Sequence, residues 1–100
     1  MGFKTFAEFY PYYLNEHSNI TCRKLHFIGT AGVFSLLLLF FFTGKLGLLW
    51  FLPVVGYGFA WVGHFVFEKN RPATFKHPFY SLLGDFKMFW DILTGHVKAF

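Results

Sequence analysis

From Leu25 to Phe42 the chain carries no charged side chain, and from Leu46 to Phe67 it again carries none. Each run has the length of a membrane-crossing helix. Between Phe34 and Phe42 only Ser35 breaks the apolar surface, so that stretch has no polar face to turn toward water. The pattern predicts two spanning helices, over about 24–43 and 46–67, joined by a short turn at Thr43–Gly47. Upstream, Phe6, Phe9, Tyr10, Tyr13, Leu14 and His17 recur at helical spacing, which predicts an amphipathic helix over 3–17 interrupted at Pro11. Ser18–Lys24 reads as a polar connector and Glu68–His77 as a polar loop. A last helix is expected over 79–94, where Asp85, Lys87 and Asp91 limit how deeply it sinks; it reads as interfacial or re-entrant. The fold class is therefore an all-α integral membrane protein. A transmembrane helical hairpin is flanked by N- and C-terminal amphipathic, interfacial helices, in a single domain over 1–100.

Composition supports the membrane. A quarter of the 100 residues are aromatic, 17 of them Phe. A soluble domain of this size buries too little surface to hide them. Gly29, Ala31 and Gly32 in the first run, and Gly56, Gly58 and Gly63 in the second, offer small faces for close helix approach. Lys4, Arg23 and Lys24 precede the hairpin and Lys69, Arg71, Lys76, Lys87 and Lys98 follow it, whereas Lys45 alone occupies the turn. The positive-inside rule then places both termini in the cytoplasm, at the inner membrane of a bacterium or the endoplasmic reticulum of a eukaryote. The first 24 residues lack a cleavable signal pattern, so the first run is expected to anchor uncleaved. A net charge of +4 suits anionic lipid headgroups, and no basic stretch carries a nucleic-acid motif. Cys22 is the one cysteine and reads as structural. The sequon at Asn19 falls on the cytoplasmic side. Homo-oligomerisation is left open.

Histidine placement adds chemistry. His26 precedes Lys45 by the same nineteen residues by which His64 follows it. Two spanning helices joined at Lys45 return both imidazoles to one membrane face, where polar groups are costly and usually functional. His17 and His77 flank the hairpin on that side, so four imidazoles can converge, and neutral imidazole ligates Fe, Zn, Cu or Ni. Glu16, Glu68, Asp85, Asn19 and Asn70 could hold the outer ring nitrogens. Arg71, on a stiff loop before Pro72, could clamp a carboxylate bidentately; Lys69 and His96 read as solvated. The aromatic stripes at Phe40–Phe42, Trp50, Phe51 and Trp61 read as lipid-facing, or as lining for an acyl chain. Competing functions are a b-type haem carrier using His26 and His64, a zinc-dependent lipid hydrolase, and a membrane subunit without catalysis.

Three segments together resemble a known family: Tyr13-Leu14-Asn15-Glu16-His17-Ser18-Asn19, Cys22-Arg23-Lys24-Leu25-His26-Phe27-Ile28-Gly29-Thr30, and Gly63-His64-Phe65-Val66-Phe67-Glu68-Lys69-Asn70-Arg71-Pro72-Ala73. Over about residues 6 to 95 the chain resembles the membrane 2-hydroxy fatty acid dioxygenases. The resemblance implies an Fe(II)-dependent enzyme of fatty acid α-oxidation, which uses O2 to shorten a 2-hydroxy fatty acid by one carbon among membrane lipids. It also implies His17, His26 and His64 as iron ligands. His77, in Phe75-Lys76-His77-Pro78-Phe79-Tyr80-Ser81-Leu82, matches shorter members and is taken as a fourth. Arg71, Glu68 and Asn19 are the expected catalytic residues around that metal.

Overall fold

The structure, a computed structural model, describes residues 3–72 and 75–99. Among these residues every regular element is helical. Helix α1 spans Phe6–Asn15, opened by Thr5, whose hydroxyl accepts a hydrogen bond from Glu8 N at 3.2 Å. It runs on through Pro11, which sits on its exposed face, where water can satisfy the carbonyl that proline leaves unbonded. Helix α2 spans Ile20–Thr43 and so begins inside the expected polar connector. The reason is local: Asn19 Oδ1 accepts from Cys22 N at 3.1 Å, a side-chain cap that starts the helix before its apolar run. Gly44 ends it with φ of 67°, its N–H donating to Phe40 O.

The second rod is continuous but not uniform. A 3-10 turn at Leu46–Trp50 leads into helix α3, Phe51–Val62, which continues as a π-helical turn over Gly63–Glu68. Pro53 falls in the first turn of α3, where its missing N–H is harmless. Helix α4 spans Pro78–Leu93 with proline at its first position.

Small residues set the distance between the two long rods. A Cβ at Gly29 would lie 3.2 Å from both Phe59 Cβ and Val55 O, and one at Gly32 would lie 2.6 Å from Val55 Cγ1. At the open end of the hairpin, a Cβ at Gly63 would lie 3.0 Å from Cys22 Sγ. Helix α4 lies across this pair: Phe89 stacks on Phe27 at 4.7 Å and Phe86 meets Phe34 at 5.5 Å. Helix α1 packs on α4 and the segment that follows it through Phe9, Tyr13, Met88 and Val97, with Tyr13 seated on Gly84. The Tyr10 hydroxyl donates to Asp91 at 2.7 Å, closing that interface.

The long rods are inside out relative to a soluble core. In α2 the buried positions are Cys22, His26, Gly29 and Thr30, while Leu38, Phe41, Phe42 and, in the next rod, Trp50 stand exposed. Both rods are long and apolar enough to cross a membrane.

Candidate metal centre

Three imidazoles meet at the open end of the hairpin. His17 lies just past α1, His26 in the second turn of α2, and His64 in the π-helical turn. All three are at least 95% buried, with relative exposures of 1%, 5% and 1%. Their ligand nitrogens lie within 4.8 Å of one another. Helix geometry orients two of them. His17 Nδ1 is 2.6 Å from Tyr13 O and His26 Nδ1 is 2.9 Å from Cys22 O, each four residues upstream. The third is held by the chain reversal at Lys69, whose φ of 59° ends the π-helical turn and brings Asn70 back. Asn70 Nδ2 donates to Glu16 O at 3.0 Å, which turns its Oδ1 toward His64 Nδ1 at 2.7 Å.

These contacts decide where the ring protons are. Carbonyl oxygens only accept, so each Nδ1 must donate, and each neutral ring then has a bare Nε2. The bare nitrogens face inward; His17 Nε2 and His26 Nε2 are 3.0 Å apart. Two lone pairs at that separation repel unless a cation lies between them. Burial, reinforced by His26 and His64, holds the His17 imidazole well below its ordinary pKa, so a proton is a poor candidate. Neutral imidazole nitrogens of this kind are ligands for transition ions, which His17, His26 and His64 would hold together. The cavity among the rings, about 20 Å³, takes one water-sized occupant. The donor set and the space therefore fit a single divalent ion with outer-sphere support already in place. A haem macrocycle has no room there.

Other expected site residues are dispersed. His77 is seated among the rings of Phe3, Phe9 and Tyr12, at 5.3, 5.4 and 6.0 Å, and precedes α4 rather than joining the three histidines. Glu68 accepts from Ser18 N, Ser18 Oγ and Asn19 N, so it ties the α1–α2 connector to the end of the second rod. Asn19 caps α2. Arg71 is exposed and borders a cleft of about 310 Å³ with Tyr12, Glu16, Pro72 and Lys76. Pro72 also lines the histidine cavity, so the two spaces adjoin.

The structure adds Tyr13 and Ser81, which the pattern did not single out, and pairs Asp85 with a tyrosine hydroxyl rather than with the expected imidazole nitrogen. Tyr13 stacks on His17 at 4.0 Å and its hydroxyl donates to Asp85, with both lining the cavity. Loss of solvent pushes the Asp85 carboxyl up to about 7, against the opposing effect of that hydrogen bond. Ser81, one turn before Asp85, also lines the cavity; its Oγ is the buried side-chain polar atom without a hydrogen-bond partner among the described residues. The i, i+4 spacings Tyr13–His17 and Ser81–Asp85 were the available signal. Arg23 braces the site, its Nε donating to His17 O at 2.6 Å.

A family model described as 2-hydroxy-palmitic acid dioxygenase Mpo1-like matches residues 3–97. The chain belongs to the Mpo1-like family. The match covers all three clustered histidines together with Asn70, Ser81 and Asp85 of this Mpo1-like chain, and Ala73, which lies outside the described residues. No curated protein and no solved structure matches the chain.

Proposed function

We propose that the chain is an Fe(II)-dependent dioxygenase that shortens long-chain 2-hydroxy fatty acids by one carbon. The observation that carries this reading is the convergence of three bare Nε2 atoms whose Nδ1 protons are all committed to oxygen acceptors. Three imidazoles alone would accept zinc as readily as iron. Family membership favours iron, because a dioxygenase exchanges electrons with O2 and zinc has no redox chemistry. His17, His26 and His64 would hold the ion; His77 is left out of this set. Bound there with open positions, Fe(II) would supply chelation of the substrate's hydroxyl and carboxylate oxygens and reactivity with O2.

The chain's own residues arrange the acid. Ser81 Oγ, buried and unpartnered, donates to the substrate carboxylate. The Asp85 carboxyl, poised near neutrality and held by the Tyr13 hydroxyl, takes the proton of the 2-hydroxyl. Arg71 and Lys76 at the adjoining cleft meet the anionic head as it enters, while Glu68 and Asn19 position the ligand-bearing segments. One 2-hydroxy acid and one O2 balance as the acid one carbon shorter, carbon dioxide and water, with no external reductant. Membrane association, with both termini on the cytoplasmic face, brings this site to the level of a fatty acid headgroup.

The test is protein purified in detergent without oxygen. About one iron per chain, and O2 uptake with 2-hydroxypalmitate but not palmitate, giving the shorter acid by mass, is the expected result. Zinc in place of iron, a Soret band, or iron-loaded protein that consumes no O2 would defeat the proposal.

A further inference from the structure

A second cavity, of about 220 Å³, lies between α2, α3 and α4. Its walls are mostly apolar, with Val33 from α2, Leu52 and Gly56 from α3, and Leu82 and Phe86 from α4. Two residues, Tyr57 and Asp85, line both this cavity and the histidine cavity. The two spaces therefore meet at a shared wall. From His64 to Leu52 the second rod falls twelve residues, or about 18 Å at helical rise, so the apolar space extends from the histidines toward the hairpin turn. Pro72 joins the histidine cavity on its other side to the polar cleft of Arg71 and Lys76. Polar cleft, small histidine cavity and apolar groove thus adjoin in that order, charged at one end and apolar at the other.

We infer that the groove between α2, α3 and α4 holds the acyl tail of the substrate and sets its chain length. The inference rests on the proposed function, which puts the substrate's head at the histidines; the tail of a molecule so held leaves through the shared wall at Tyr57 and Asp85. Gly56 contributes bare backbone to the groove, and a Cβ there would already come within 3.3 Å of Val33 Cγ2, so the passage is narrow at that level. The exposed side of Leu82 lets a tail slide in sideways from lipid without lifting its apolar carbons through water. Val33 and Leu52 mark the far end, so their size decides how many methylenes fit.

Each methylene moved from water into an apolar site is worth about a four-fold change in affinity. Referred to the free aqueous acid rather than to acid dissolved in lipid, the specificity constant kcat/KM should therefore climb about four-fold per methylene across a series of 2-hydroxy acids and level off once the groove is full. Val33→Phe and Leu52→Trp, compared at equal iron content, should each lower the ratio of kcat/KM for 2-hydroxypalmitate over 2-hydroxyoctanoate by about tenfold or more. A separate readout needs no turnover. A 2-hydroxypalmitate analogue with a photoreactive diazirine at its terminal carbon should label Val33, Leu52 or Phe86 in the full chain, and unlabelled 2-hydroxypalmitate should compete. An unchanged ratio in both variants, or labelling confined to the outer face at Phe41, Phe42 and Trp50, would overturn the groove while leaving the dioxygenase standing. Equal labelling by a palmitate analogue without competition would mean that bulk lipid fills the space, and would overturn it too. Absence of turnover for every 2-hydroxy acid by iron-loaded protein would take down both readings.

Discussion

Asn70 shows how one side chain can set a metal site without touching the metal. Its amide donates to Glu16 O on one side and accepts from His64 Nδ1 on the other, so it joins the α1 end to the second rod. Outer-sphere partners of this kind typically contribute 10- to 100-fold in metal affinity. Asn70→Ala should therefore weaken iron binding by about that factor while the helices remain, as read by metal competition titration and circular dichroism; undiminished affinity would show that His64 is oriented by packing alone. Asp85 gives a pH signature. An unfolded carboxyl titrates near about 4, whereas the folded group titrates near about 7. Between those values the folded chain keeps a proton that the unfolded chain releases, so this group makes stability fall as pH rises through that window. His17, held neutral by burial, contributes the opposite slope below its ordinary pKa, so the comparison must be with Asp85→Asn. The variant should lose the downward slope between about pH 4 and 7 in thermal melts of the detergent-solubilised protein. Parallel curves for the two proteins would show that Asp85 is not the titrating group.

At the level of elements, the open end of the hairpin is where sequence pattern gives way to contact. Gly63 carries His64 to within reach of His26 because nothing larger fits against Cys22: an added Cβ would sit 3.0 Å from its Sγ and 3.2 Å from its Cα. Gly63→Val should push the two rods apart at this end and cost about 1–3 kcal/mol. Iron content should fall sharply with helicity retained, whereas Gly58→Val, where an added Cβ meets nothing within 4 Å, should keep its iron. Equal iron in both variants would mean that the close approach at Gly63 is not what assembles the site. The π-helical turn belongs to the same device. It changes the rotation of the last turn, ends at a left-handed Lys69, and returns the chain to put Asn70 beside His64.

Across the whole molecule, apolar and basic residues are segregated: exposed Phe and Leu cover the two rods, and eight of the nine Lys and Arg lie on the flanks, in α4 or, as Arg23 and Lys24, near the start of α2. The exception, Lys45, is in the turn. Reporter fusions at Lys45 and at the C-terminus should accordingly report opposite sides of the membrane. The same side for both would remove the spanning hairpin and the proposed position of the site at the cytoplasmic face.

The two apolar rods, the turn at Gly44 and the convergence of His26 with His64 were legible in the chain because they follow from one-dimensional quantities: run length, helical rise and equal spacing from Lys45. His17 belonged to that group as well, since the short connector leaves it little freedom. Other features depended on distances between segments remote in sequence. Spacing alone admits His77 to the cluster, yet packing surrounds it with Phe3, Phe9 and Tyr12. Glu68 and Asn19 are polar residues at the right level whose contacts go to the chain connector and a helix cap, because unsatisfied backbone N–H groups there compete for them. Tyr13, Ser81 and Asp85 face the histidines only because α4 folds back over the hairpin with Gly84 beneath Tyr13. Helical periodicity determines which residues share a face; only the packing of one helix on another decides what that face meets.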